Sequence, residues 1–337
     1  MLSTKSPFAF SFFILGLLGF ITSSLISCGG ANPTAETSSP VSQPPTTDME
    51  KPFKVEFDAE RAFEHVRKQV EFGPRPAGSA AGKQTRDYLV DQLKKAGLKV
   101  TLDSFKTGTP LIRMPSVEMH NVIGELPGER DDIIVIASHY DTKYFENFRF
   151  VGANDGASST GVVLELARVL ATLAPADRKI PQTLWFVFFD GEEAFASWSG
   201  TDHTYGSRHL VTKLKADGKL SKVKGLILLD MVGDKDLVIP REMQSSPWMA
   251  DAMVLSAQQL GYGAHFPRTT HYIDDDHIPF LQAGIPAVDL IDFEYGGPDN
   301  PYWHTEEDTL DKISPKSLKI VGDTVLHALP KIAAQAR

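Results

Sequence analysis

The sequence contains a single cysteine, Cys28, among its 337 residues. This scarcity excludes an intrachain disulfide, and it also excludes a zinc cluster built from several thiolates. Any metal ion bound by this chain must therefore be held by histidine, aspartate and glutamate side chains.

Basic residues are also fewer than acidic ones. The chain has 34 lysines and arginines and 43 aspartates and glutamates, which gives a net charge of −9. No basic run is long enough to follow a phosphate backbone. Nucleic acid is therefore not an expected partner.

The first 27 residues have little charge, with Lys5 as their one charged side chain. The apolar run from Phe8 to Ile26 predicts an export signal over residues 1–27, and an uncleaved membrane anchor is the alternative. The segment Leu25–Cys28 resembles a bacterial lipoprotein signal, in which the cysteine becomes lipidated. We therefore expect an exported lipoprotein of the bacterial cell envelope, periplasmic or on the extracellular face, that meets the membrane only through its lipidated N-terminus.

Residues 28–50 are rich in proline, threonine and serine and contain almost no large apolar side chain. Such a segment cannot bury enough surface to fold, so we expect a disordered tether. Residues 51–337 show neither an internal repeat nor a second linker, which predicts a single catalytic domain.

Short apolar runs predict strands that are buried on both faces. They lie at Ile133–Ala137, Leu184–Phe189, Leu226–Leu229 and Ala287–Ile291. Helical patterns occur at Ala59–Val70, Lys83–Ala96, Gly161–Leu173, Trp248–Leu260 and Ser317–Ala334. This alternation predicts a three-layer α/β/α fold with a mostly parallel central sheet. Met119–Glu125 is expected to add an antiparallel edge strand.

Polar side chains gather at the carboxyl ends of the predicted strands, where open α/β sheets bind their ligands. They are His139 and Asp141 after the first strand, Glu192 and Glu193 after the second, Asp230 after the third, and His304 in the loop beyond the fourth. Asp155 lies in a glycine-flanked loop that opens a helix. Converging carboxylates repel one another, so they need raised pKa values or a bound cation. Imidazole and carboxylate ligands without thiolates favour a catalytic zinc ion.

The adjacent glutamates Glu192 and Glu193 strengthen this prediction, because neighbouring side chains point in different directions. One of them can bind a metal while the other moves a proton. A solvated acidic turn is the alternative interpretation.

These residues resemble the zinc-dependent aminopeptidase-like superfamily and, within it, the animal-type glutaminyl cyclases (glutaminyl-peptide cyclotransferases). The resemblance extends from about Ala59 to Ala334. Its motifs are Ser138–Lys143, Gly152–Gly156, Phe188–Phe195, Tyr205–Leu210, Leu228–Met231, Asp275–Phe280 and Trp303–Thr305. The residues from Phe195 to Leu210, the Asp275–Phe280 segment and Trp303 are specifically similar to cyclases.

The resemblance implies that Asp155, Glu193 and His304 bind zinc, with one ion per chain expected. His139 and Asp230 match the remaining ligands of the two-metal aminopeptidases. Since both residues are present, the sequence leaves open whether His139 and Asp230 bind a second metal ion.

The resemblance also implies a reaction, the cyclisation of an N-terminal glutamine to pyroglutamate with release of ammonia. Glu192 is the implied proton-transfer residue, in a hydrogen-bond network with Asp230 and Asp275. These two neighbouring carboxylates give a reason to expect a raised pKa for Glu192. The expected partners are peptides or proteins with an N-terminal glutamine, and a monomer is favoured.

Aromatic and apolar residues are expected to complete a substrate pocket. Trp303 precedes the expected ligand His304 and would pack on the glutamine side chain, and Trp198 would line the mouth. Ile273 and Asp274 correspond to pocket positions of the cyclases, although Asp274 replaces an expected amide residue. Excluding water matters, because an attacking water would yield glutamate instead of the ring.

Two rival functions remain open. The first is a two-zinc aminopeptidase, in which Glu192 would activate a bridging water and His139, Asp155, Glu193, Asp230 and His304 would hold the metals. The second is a catalytically silent binding lipoprotein, against which the intact set of ligand-type residues argues.

Overall fold

The computed structural model describes Phe53 and residues 55–336 of the chain. The proposed signal over residues 1–27 and the proposed tether over residues 28–50 lie outside the described residues. In the described part, no helix is both long enough and apolar enough to span a membrane.

Helices and strands alternate along much of the described chain. The α-helices are α1 (Ala59–Phe72), α2 (Ala80–Lys95), α3 (Ala157–Ala171), α4 (Pro175–Arg178), α5 (Tyr205–Ala216), α6 (Pro247–Gln259), α7 (His277–Gln282) and α8 (Pro315–Gln335). The strands are β1 (Lys99–Gly108), β2 (Ser116–Leu126), β3 (Arg130–His139), β4 (Gln182–Phe189), β5 (Val223–Asp230), β6 (Arg241–Glu242), β7 (Thr270–His271) and β8 (Ala287–Ile291). Single 3-10 turns lie at Leu220–Lys222, Gly263–His265 and Leu310–Lys312.

Several helices begin where a short polar side chain caps the first turn. The side chains of Asp58, Ser79 and Ser314 accept hydrogen bonds from the backbone N–H groups of Arg61, Gly82 and Ser317, respectively. Each cap satisfies a donor that the helix itself cannot pair, and such a cap typically contributes about 1 kcal/mol.

The central sheet has six strands in the order β1-β2-β4-β3-β5-β8. Strands β4, β3, β5 and β8 run parallel to one another, while β2 is antiparallel to both of its neighbours. The expectation of a mostly parallel sheet is therefore confirmed. The expectation that Met119–Glu125 forms an edge strand is wrong, because β1 pairs along the outer side of β2. Strand β1 has one buried residue, Asp103, so it lacks the apolar run that identified the other strands.

Side chains alternate between the two faces of the sheet, as the strand period of two requires. In β3, Ile134 and Ile136 belong to the core shared with α1, α2, α3, α6 and α8. Ile133, Val135 and Ala137 belong to the opposite core, shared with α5 and α7. Helices thus cover both faces, which confirms the three-layer α/β/α architecture.

The parallel register brings the carboxyl ends of four strands to one edge of the sheet. His139 at the end of β3 pairs with Phe189 of β4, and Asp230 at the end of β5 pairs with Ile291 of β8. The loops that follow these strands therefore start side by side, and the candidate site lies among them.

Candidate metal centre and substrate pocket

Three loops bring Asp155, Glu193 and His304 together. His304 Nε2 lies 3.0 Å from Glu193 Oε1 and 3.2 Å from Asp155 Oδ2. One ligand atom of each residue lies within 4.8 Å of the other two. Both carboxylates are buried, with exposed fractions of 3% for Asp155 and 4% for Glu193.

The unpaired atoms of this cluster fit a cation. Glu193 Oε2 is buried without a hydrogen-bond partner among the described residues, and Asp155 Oδ2 has only its ion-pair contact with His304 there, a costly state for a charged oxygen. Lys143 Nζ lies 3.6 Å from Glu193 Oε2, but it donates its hydrogen bond to the carbonyl of Ala194. Two carboxylates and one imidazole are a donor set that suits zinc with an open coordination position.

The charges inside the cluster affect one another strongly. Burial by itself lowers the pKa of His304. The contacts with Glu193 and Asp155 outweigh burial and raise this pKa to about 9. Burial raises the pKa of Asp155, and contacts with His139 and His304 outweigh this and lower it. The arrangement therefore favours an ionised Asp155 beside a positive charge, which is the environment that a metal ion provides.

A second group of potential ligands adjoins the first. His139, Asp155 and Asp230 also offer ligand atoms within 4.8 Å of one another. His139 Nε2 lies 3.1 Å from Asp230 Oδ1 and 3.3 Å from Asp155 Oδ1. Asp155 therefore belongs to both groups, as a bridging carboxylate would.

A cavity of about 310 Å³ opens onto this cluster. Trp303 stacks on the His304 ring with their centroids 3.9 Å apart, and Ile273 and Phe293 also line the wall. Trp198 and Tyr272 also border the cavity and are 38% and 66% exposed, so they form its mouth. The cavity therefore runs from an aromatic mouth to a polar inner end.

The expected proton-transfer residue Glu192 and its expected network partners Asp230 and Asp275 also border this cavity. Burial raises the pKa of Glu192 well above its usual value, and Asp275 and Glu193 raise it further against the opposing charge of His139. Burial and the charge of Asp230 raise the pKa of Asp275 to about 7. Burial raises the pKa of Asp230 too, against the opposing effect of His139. The sequence predicts neighbouring carboxylates as the cause of the raised pKa of Glu192, but burial has the largest effect.

Comparison with known proteins gives the family. The sequence profile of peptidase family M28 matches residues 121–329. A glutaminyl-peptide cyclotransferase of Drosophila melanogaster is 30% identical over 266 residues, which span 72% of this chain and 73% of the relative. The chain belongs to peptidase family M28. Within that family it belongs to the glutaminyl cyclases.

Solved structures of M28 proteins agree with this assignment. The glutaminyl cyclase of an Acidobacteriales bacterium is 37% identical, with a TM-score of 0.76 over 89% of this chain and 100% of that structure. A Zn-dependent exopeptidase from Parabacteroides distasonis is 30% identical, with a TM-score of 0.70 over 80% of this chain and 97% of that structure.

Asp141 anchors both glutamates of this M28 chain, a role that the sequence did not reveal. Its Oδ1 accepts the backbone N–H of Glu192 at 3.1 Å, and its Oδ2 accepts that of Glu193 at 3.3 Å. The two peptide groups are fixed together, while the side chains diverge toward His139 and His304. Asp141 lies in the Ser138–Lys143 motif, which was the available signal.

Asp308 and Arg75 fix the loop that carries Asp155, and neither was identified from the sequence. Asp308 accepts the backbone N–H groups of Asn154 at 2.7 Å and Asp155 at 3.1 Å. Arg75 is fully buried and donates to the carbonyls of Tyr140 and Gly152, both at 2.8 Å. Because their partners are backbone groups, no side-chain pattern marks these contacts in the sequence.

Two backbone positions at the M28 site adopt the left-handed region. Gly156 has φ of +82°, and a Cβ there would lie 2.8 Å from the carbonyl oxygen of Asp141. His304 has φ of 54° although it carries a side chain. Such a conformation is uncommon for a residue other than glycine and is often found at functional sites.

Proposed function

We propose that this chain is a glutaminyl-peptide cyclotransferase that converts an N-terminal glutamine to pyroglutamate and ammonia. The observation that carries the proposal is the cluster of Asp155, Glu193 and His304 at the inner end of a pocket bordered by Trp303 and Ile273. The pocket suits a small amide side chain that enters from the aromatic mouth. Relatives named glutaminyl-peptide cyclotransferase support the same conclusion.

We propose Asp155, Glu193 and His304 as the ligands of one zinc ion. When bound there, zinc supplies a Lewis acid that polarises the side-chain amide carbonyl of the substrate. The chain itself prepares this position, because Asp308, Arg75 and Asp141 fix the backbone of the ligand loops.

Glu192 is the proposed proton-transfer group. The substrate's α-amine attacks the carbon of its own side-chain amide, so that one C–N bond forms and the bond to the leaving nitrogen breaks. Glu192 accepts a proton from the attacking amine and returns it to the leaving nitrogen, which departs as ammonia. Its raised pKa makes Glu192 a stronger base than an ordinary glutamate, which suits both transfers. Because an acyl group moves from one amine to another, the reaction is classed as an aminoacyl transfer.

The apolar part of the pocket protects this reaction from water. Trp303 stacks on His304, and Phe150 packs edge-on against the same imidazole with the ring centroids 5.7 Å apart. Water that reached the amide would compete with the α-amine and produce a linear glutamate. We propose Trp303, Trp198 and Ile273 as the side chains that enclose the substrate.

The test uses a peptide that begins with glutamine and a matched peptide that begins with alanine. We expect mass spectrometry to show loss of one ammonia from the first peptide and no change in the second. Release of free amino acids from both peptides, with no pyroglutamate, would contradict the proposal.

A two-zinc aminopeptidase is the second candidate, and the adjoining group of His139, Asp155 and Asp230 favours it. The Parabacteroides distasonis structure is named a Zn-dependent exopeptidase, which supports a peptidase function. Zinc content separates the candidates, since the cyclase proposal requires one ion per chain and the aminopeptidase two. Release of N-terminal residues from varied peptides would accompany the second result.

The N-terminal sequence supports a further proposal, that the chain is an exported lipoprotein attached to the bacterial envelope at Cys28. The support is the segment Leu25–Cys28 and the apolar residues before it. Expression in a bacterial host with labelled fatty acid tests it. We expect label in the wild-type chain and none in Cys28→Ser, and an unlabelled wild-type chain would contradict the proposal.

A further inference from the structure

An acidic side chain lies at the mouth of the pocket. Asp274 borders the cavity, and its side chain is 41% exposed, in contrast to the buried carboxylates at the inner end. Asp274 follows Ile273, whose carbonyl accepts a hydrogen bond from the Gln244 side chain at 3.2 Å, and it precedes the buried Asp275. The backbone on either side of Asp274 is therefore fixed.

In the described part of the chain, no lysine or arginine forms an ion pair with Asp274. Its ion-pair contact within the described residues is His203, with Nε2 3.8 Å from Oδ2. Burial lowers the pKa of His203 despite the opposing charge of Asp274, which favours the neutral form of this ring. Arg208 interacts electrostatically with Asp274. Its guanidinium, however, donates hydrogen bonds to the carbonyls of Thr201 and Thr204. Among the described residues that border the cavity, none is lysine or arginine.

Aromatic rings border the same pocket mouth as Asp274. Trp198 stacks on His203 at 4.5 Å with an interplanar angle of 17°, and Tyr272 exposes two thirds of its surface at the same mouth. Asp202 accepts the backbone N–H groups of Phe195, Ala196 and Ser197 and so fixes the segment that leads to Trp198. Aromatic faces attract ammonium and guanidinium groups, so the rings and the carboxylate favour the same kind of ligand.

We propose that Asp274, with Trp198 and Tyr272, selects peptides that carry lysine or arginine directly after the N-terminal glutamine. This inference rests on the proposed function, because it places the glutamine side chain at the inner end of the pocket. Consecutive Cα atoms are about 3.8 Å apart, so the second residue then lies at the mouth. A cationic side chain there gains the attraction of Asp274, whereas an acidic one is repelled.

The test compares kcat/KM for three peptides that begin Gln-Lys, Gln-Ala and Gln-Glu and are otherwise identical. We expect lysine to be favoured over alanine by about five-fold and glutamate to be disfavoured by a similar factor, as for a partly exposed ion pair. In Asp274→Asn both ratios should approach one. The matched control is Asp91→Asn, which removes the same charge from the exposed face of α2 and should leave both ratios unchanged.

Equilibrium binding separates this proposal from the proposed function. Calorimetry with the same peptides and Glu192→Gln should show the same charge preference, lost when Asp274→Asn is added. A charge preference in binding to Glu192→Gln, with no pyroglutamate formed by the wild-type enzyme, would support the role of Asp274 and refute the cyclase function. Pyroglutamate formed at equal rates from all three peptides would refute the role of Asp274 and retain the function. Equal losses of preference in Asp274→Asn and Asp91→Asn would also refute it, because net charge alone would then explain the effect.

Discussion

Asp308 Oδ2 accepts the backbone N–H of Asp155 at 3.1 Å, and this contact joins the loop of His304 to the loop of Asp155. The other oxygen, Oδ1, accepts the N–H of Asn154 and the hydroxyl of Tyr295. Asp308 thus binds the backbone of the proposed ligand Asp155 and lies four residues after the proposed ligand His304. We therefore expect the distance between Asp155 and His304 to depend on this contact.

We expect Asp308→Asn to weaken zinc binding by about 10- to 100-fold, because an amide has one acceptor oxygen where the loop uses two. Titration of the metal-free chain with zinc in a competing chelator measures the change. Asp311→Asn is the matched control, since this nearby side chain is 68% exposed. An unchanged zinc affinity in Asp308→Asn would show that the loop holds its shape without this contact.

Glu192→Gln should retain zinc and lose activity. The amide is nearly isosteric, and the backbone N–H of residue 192 remains bonded to Asp141. General acid–base catalysis typically contributes 10²- to 10⁴-fold, so we expect kcat to fall by about that factor. Zinc content and turnover are measured on the same preparation. Full turnover in this variant would exclude Glu192 as the proton carrier.

His304→Ala should lose both zinc and activity, because it removes one of three proposed ligands and leaves two buried carboxylates without their partner. Metal analysis after dialysis, followed by the glutamine-peptide assay, checks both effects. His120→Ala, which lies outside the cluster and hydrogen-bonds Ser104, is the control. Zinc retained at the wild-type ratio would refute the proposed ligand role.

Trp303→Leu should raise KM and release some linear glutamate product. The substitution removes the ring that stacks on His304 and opens the pocket wall to water. We expect KM to rise about ten-fold from the lost apolar contact. Mass spectrometry distinguishes the linear product from the ring, and Trp185→Leu, at a half-buried position outside the pocket, is the matched control. Pyroglutamate as the sole product, with an unchanged KM, would contradict the role of Trp303.

The sequence predicted most of the fold because four parallel strands are buried on both faces and are therefore continuously apolar. Ile133–Ala137 and Leu184–Phe189 lie inside β3 and β4 for this reason. Strand β1 was not predicted because it is largely exposed. Because β1 lies outside β2, the expected edge strand β2 is an inner strand. Helix α3 begins at Ala157, before the predicted Gly161, because the chain turns at Gly156.

The residues of the candidate site also differ in whether the sequence could identify them. Side chains that follow buried strands, such as Glu192 and Asp230, could be identified because parallel strands end at one edge. Asp308 and Arg75 could not, because they act on backbone groups far away in the sequence. The charge environment of Asp274 also depends on packing, since burial sets the protonation of the neighbouring His203.

Anomalous diffraction from crystals of the zinc-loaded chain tests the metal centre most directly. We expect one zinc peak, about 2.0–2.2 Å from an oxygen of Asp155, an oxygen of Glu193 and Nε2 of His304. A zinc peak bound by other residues, or no peak at these three, would contradict the account.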